Sequence, residues 1–250
     1  MDGILRALLI LFLMYASFLP LPAEPLQGAI EKNHTLDEWQ SNVLPNIKVG
    51  EVWNDSMLPK EHTDDVWFPV PPWKAGELTG SVSTEYKFQD GKPVLTGTHK
   101  NSFDLLSGQQ QDSAGLIWHC ARFPNVTTVE GDDKMVVVIG LASKHSQHSS
   151  DREIVYEHAI EIARAKDSGK ILSVRERSSR ARWMPELDGS LLFVHQTLDE
   201  KGQPLREGRM VVVRIAPFRR EDTLPDGFDL RGSFKRFLLS NGMKDRLPPD

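Results

Sequence analysis

Between Gly80 and Pro217 the sequence is a train of short runs in which apolar and polar residues alternate, each stopped by turn residues. One such pair, "GSVSTEYKF" (80–88) and "PVLTGTHKNSF" (93–103), flanks Asp90-Gly91, a strong short-range signal for a hairpin. "GLIWHCARF" (115–123), "ILSVRERSSRARW" (171–183), "SLLFVHQTL" (190–198) and "RMVVVRIAP" (209–217) follow. "KMVVVIGLAS" (134–143) is a β-branched run suited to a central strand covered on both sides. Residues 152–165 admit two readings. As a helix, Ser150 would cap it, with Glu153 three residues on and Gly169 past its end. As a strand, Ile154, Tyr156, His158, Ile160 and Ile162 alternate and turn through "KDSGK" into the run at Ile171. The strand agrees with every neighbour, and agreement across levels outweighs local propensity.

This pattern predicts an all-β protein of about eight to ten strands, mostly joined by hairpins. Parallel pairing needs crossovers of about a dozen residues or more, so the sheet is expected to be antiparallel. A meander of that size avoids open edges most simply by closing into an up-and-down barrel. Four regions are expected: a signal peptide (1–23), an irregular N-terminal arm (24–65), the barrel (66–217) and a tail (218–250). The tail should hold one short helix over 232–240, with Phe234, Phe237 and Leu238 on one face.

The signal peptide is read from Arg6, the apolar run "LLILFLMYASFL" (8–19) and the small residue Ala23. A membrane-spanning helix needs about 20 apolar residues, and Pro20 and Pro22 end this run short of that. The expectation is therefore an exported chain, periplasmic or secreted, with no membrane span after cleavage. One cysteine, Cys120, excludes an intramolecular disulfide, so the core alone must stabilise the fold. A net charge of −5 gives nucleic acid no electrostatic footprint. In the arm, Trp39 and Trp53 are expected anchors, with a helical turn near "TLDEWQSNV" (35–43). "VWFPVPPWKAGELTG" (66–80) holds Trp67, Phe68, Trp73 and three prolines, and reads as irregular chain. It is expected to seal the barrel entrance, the alternative being an exposed aromatic lip.

Chemistry is sparsely signalled. His145 and His148 have no third or fourth ligand at zinc spacing, so no metal or other cofactor is expected. His119 and Cys120 are strand neighbours on opposite faces; Cys120 could meet His158 or His195 across the sheet, but reads as a buried structural thiol. No nucleophile elbow, phosphate loop or dinucleotide fingerprint occurs, and no catalytic constellation is expected. Arg175, Arg177, Arg180 and Arg182 crowd one strand. Strict alternation splits them two and two; a bulge at Ser178-Ser179 would bring all four to one face and make an anion site.

A signal peptide followed by an antiparallel meander, entered through a proline- and tryptophan-rich lead, resembles the lipocalin-like (calycin-type) β-barrels over roughly residues 66–217. The resemblance implies a cup holding a small amphiphilic or lipid-like ligand without catalysis. In such a cup Trp118, Tyr156 and Phe193 are expected to line the apolar wall, with His158, Arg175 and Arg177 toward the polar end. The alternative is a structural or adaptor protein of the bacterial envelope, with a solid barrel and a protein partner. Its mark would be an exposed apolar patch around Trp67, Phe68 and Trp73, or around Phe234 and Phe237.

Overall fold

The computed structural model describes residues 47–58, 64–130, 133–148 and 151–249. The signal peptide, Trp39 and the turn near residue 35 lie outside them. Eleven strands run in chain order: β1 (Asp64–Val70), β2 (Gly76–Gln89), β3 (Lys92–Ser107), β4 (Gln110–Gln111), β5 (Ile117–Phe123), β6 (Asn125–Glu130), β7 (Lys134–His148), β8 (Glu153–Ala165), β9 (Ile171–Pro185), β10 (Leu191–Leu198) and β11 (Pro204–Pro217). One helix, α1 (Leu230–Ser240), follows them.

Eight strands form one antiparallel sheet in the order β3-β2-β11-β10-β9-β8-β7-β6, and β1-β5-β4 form a second. The large sheet curls into a half-barrel, whose outer strands β3 and β6 do not pair with each other. The expected antiparallel up-and-down architecture with a short C-terminal helix is thus present. Asp90 and Gly91 have φ of 51° and 72°, the positive values a two-residue hairpin turn between β2 and β3 requires. Residues 153–165 are strand β8, paired with β7 and β9 over their length.

Alternation sorts each strand into two faces. On β7 and β8, Val137, Ile139, Ile160 and Ile162 pack outward against Ile47 and Trp53. The arm at residues 47–58 therefore lies on the convex back of the sheet. It is fixed there by Trp53 N–H donating to Gly169 O (2.9 Å) and by the mutual bonding of Glu51 and Gly50 with Ile171 (2.8 and 2.9 Å). Val138, on the opposite face of β7, looks into the concave side, so this strand is covered twice, as its β-branched run requires.

The small sheet faces the concave side. Phe68, Ile117, Val70 and Ala75 form one of its cores, with Ala121 and Phe218 packed alongside. On its other face Trp67, Trp118 and Cys120 pack against Leu230, Phe234 and Leu238 of α1. Asp229 caps that helix by accepting from Gly232 N–H at 2.8 Å, and Trp67 Nε1 donates to Ser233 Oγ at 3.2 Å. From back to front the layers are arm, large sheet, cavity, small sheet and helix.

The stretch from Val66 is not irregular throughout: Asp64–Val70 is strand β1, and only Pro71–Ala75 bridges to β2. β1 is an edge strand, which is why Pro69 is tolerated within it. Its aromatic residues split by alternation, Trp67 to the helix and Phe68 to the cavity, so one strand seals two layers.

Candidate functional site

Between the concave face and the small sheet lies a cavity of ≈ 540 Å³. Its roof is Phe68 from β1 with His119, Ala121 and Phe123 from β5; its floor runs along β8, β9 and β10. Register explains the floor. Phe193 pairs with Trp183, His195 with Ala181, Val155 with Ala181 and Glu157 with Ser179, so these side chains stand in rows on one face. Trp183 and Phe193 pack with their rings tilted by 35° and 4.4 Å between centres, and make one end apolar.

That end carries one ion pair. Lys74, in the bridge before β2, bonds Glu153 at the start of β8 and lies 4.6 Å from the Trp183 ring centre. Both residues are buried, at 6% and 0% exposure, so each charge depends on its neighbours for solvation. About 20 Å along β9, at strand spacing, lies Arg177. Its Nη2 donates to His195 Nε2 at 3.0 Å. Arginine has only donors, so His195 Nε2 is the accepting, unprotonated nitrogen and the ring proton resides on Nδ1. Burial, with the Arg177 charge adding to it, pushes the His195 pKa down to about 4. Glu157 lies 3.9 Å from the same Nε2, within reach of an ion pair; since the ring is neutral near pH 7, the contact is not one. Ser179 Oγ donates to Glu157 Oε2 at 3.2 Å, and Arg177 Nη1 lies 3.5 Å from Glu161, which Arg175 also binds.

The six residues expected to bind ligand fare differently. Phe193 and Arg177 line the cavity. His158 contributes to its wall, but its ring bonds Ser178 (3.2 Å) and stands on the strand face opposite Glu157. Arg175 has the inward parity but lies beyond the cavity, more than half exposed and paired with Glu161. Tyr156 pairs in register with Arg180 on the outward parity. Trp118 faces the helix, with its ring 5.4 Å from Phe237 and its Nε1 donating to Asp112 at 3.1 Å. Cys120 is on that same face, away from His158 and His195. The pairing of β8 with β9 runs without a shift from Glu153 to Ala163, so there is no bulge at Ser178-Ser179 and the four arginines divide two and two.

Glu157, Ser179, Trp183, His195 and the Lys74–Glu153 pair are not among the residues the sequence assigned to ligand binding. The first four share the parity of Arg177 and Phe193, so the signal was present: fixing one inward residue per strand places them all. The Lys74–Glu153 pair joins a loop to a distant strand and has no local signature. Among the described residues no group of three or more His, Cys, Asp or Glu is placed to hold a metal ion, and no helix is long and apolar enough to cross a membrane. Compared with known proteins, the chain matches no family model, no curated sequence and no solved structure.

Proposed function

We propose that this is an exported, non-catalytic protein that binds a small amphiphilic molecule in the cavity between its two sheets. The observation that carries the reading is the cavity itself. Its ≈ 540 Å³ falls within the range of about 300–1,000 Å³ that small ligands occupy, and its walls mix aromatic and aliphatic side chains with polar ones. Arg177, His195, Glu157 and Ser179 cluster at one end and Trp183 packs against Phe193 at the other, which suits a molecule with an apolar body and a polar head. Export follows from the signal-like residues 1–23.

Glu157, Arg177 and His195 converge, the minimum an acid–base enzyme needs. We assign them to binding because a histidine neutral down to about pH 4 is a weak base at neutral pH. The adaptor alternative called for exposed aromatic residues; Trp67, Phe68 and Phe234 are buried at 4%, 7% and 0% exposure, and Trp73 and Phe237 are partly buried. A partner-binding role would have to draw on the exposed Val211, Val213 and Ile215 of β11 instead.

Native and denaturing mass spectra of gently purified protein test the binding reading. A discrete extra mass, present natively and lost on denaturation, is expected. A clean apo mass, with no displacement of fluorescent fatty-acid probes, would overturn it in favour of the adaptor.

A further inference from the structure

Resting on the cavity-binding reading, the charges at the two ends of the cavity narrow the ligand further. At the polar end the cavity is lined by one cation, Arg177, and one anion, Glu157, which accepts from Ser179; just beyond it Arg175 pairs with Glu161, which also lies 3.5 Å from Arg177. At the aromatic end Lys74 stands against Glu153. Cations and anions match in number at each end. The other arginines of β9 do not alter this, because they turn outward: Arg180 Nε donates to Gln196 (3.0 Å), and Arg182 lies 3.8 Å from Glu207. An ionic head would therefore enter a site with no net charge of opposite sign to meet it, and would lose its hydration with little compensation.

What the polar end does offer is a mixture of donors and acceptors. Glu157 accepts, Arg177 donates, and Ser179 does both. His195, accepting from Arg177 at Nε2, carries its proton on Nδ1. A group that gives and takes hydrogen bonds while carrying no charge fits this set. We propose that the ligand's head is uncharged and hydroxyl-bearing, an alcohol or a glycoside, and that free carboxylates, phosphates and amines are selected against.

Titration calorimetry of the full-length, processed protein at pH 7.5 with decanol, decyl glucoside, decanoate and decylamine keeps the tail constant and varies the head. Decanol or decyl glucoside should bind at least about tenfold more tightly than decanoate or decylammonium. Equal or tighter binding of either ion would overturn the head-group assignment and leave the cavity reading standing. Binding of none of the four would overturn both. Glu157→Gln supplies an independent check, since Glu157 is nearly half exposed and the change is close to isosteric. It leaves the cations in excess, so decanoate should gain about tenfold relative to decanol. An unchanged ratio would show that charge balance does not set the preference.

Discussion

At the scale of single residues, two ionisable groups report on their surroundings. His195 has its pKa pushed from 6.5 to about 4 by burial and by Arg177. Between those values the unfolded chain takes up a proton that the folded protein refuses. The stability so contributed is complete above pH 6.5 and is lost as the pH falls toward 4. Urea midpoints measured from pH 7.5 to 4 should therefore fall less steeply for His195→Gln than for the natural protein. Identical slopes would mean that His195 takes up its proton at the same pH in the folded and the unfolded protein. Glu157 and Arg177, the charged groups facing it, remain in both proteins, so the difference isolates the ring. Cys120 moves the other way: burial, helped by Asp65, pushes its thiol up to about 12. A thiol reagent at pH 8 should find no reactive group in the native protein and one equivalent after denaturation, since the chain has a single cysteine. Rapid native labelling would place Cys120 outside the core under α1.

At the scale of elements, α1 is held by packing more than by its own propensity. Phe234 is fully buried, with its ring centre 4.8 Å from Trp67 and 5.9 Å from Trp118. Phe234→Ala should cost about 3–5 kcal/mol in urea unfolding. A loss below about 1 kcal/mol would mean that the helix contributes little to the small sheet. The strands and their turns were largely legible in the sequence, because turn chemistry is local: Asp90-Gly91 marks its hairpin, and Gly169, with φ of 66°, marks the turn into β9. The faces were legible only where one side is wet. On β5, Ile117 and Trp118 are both buried, because a cavity roof lies on one side and a helix on the other, and the alternation that would distinguish them vanishes. Trp118 was placed inward for that reason. The aromatic lead hid a strand for a similar one: β1 is covered on both faces and carries a proline, so it lacks the polar half of the pattern. Gly76 shows a constraint that composition does not express. Its φ is 127°, and a Cβ there would come within 2.4 Å of Ala216 O, so β2 starts where only glycine lets it lie against β11.

At the scale of the whole molecule, the cavity divides what would otherwise be one continuous core. Phe68 and Ile117 pack within the small sheet, while Trp183, Leu191, Met210 and Val212 pack on the large one. The roof is tied to the large sheet by chain continuity at three steps, β1 to β2, β3 to β4 and β5 to β6, by the Lys74–Glu153 pair, and by Gly108 N–H donating to His119 Nδ1 at 3.3 Å. β9 and β10 lie well inside the eight-stranded sheet, whereas β1 is an edge. Hydrogen exchange should accordingly be faster in β1 and β5 than in β9 and β10, and should slow in the roof when decanol or decyl glucoside is bound. Uniform protection throughout would show that roof and floor open as one unit.

The strand order has a further consequence, which concerns time. β2 lies between β3 and β11, so its first neighbour is adjacent in sequence and its second is the last strand of the described residues. During synthesis the β2–β3 hairpin can form early, but one side of β2 stays open until β4 through β10 and β11 itself have been made. The hairpins from β6 to β11 need only local closure, whereas the β2–β11 seam must bring together segments more than a hundred residues apart in the chain (Gly76–Gln89 and Pro204–Pro217). That seam should be the late, rate-setting event of folding, and until it closes β2 offers an unpaired edge to any passing strand.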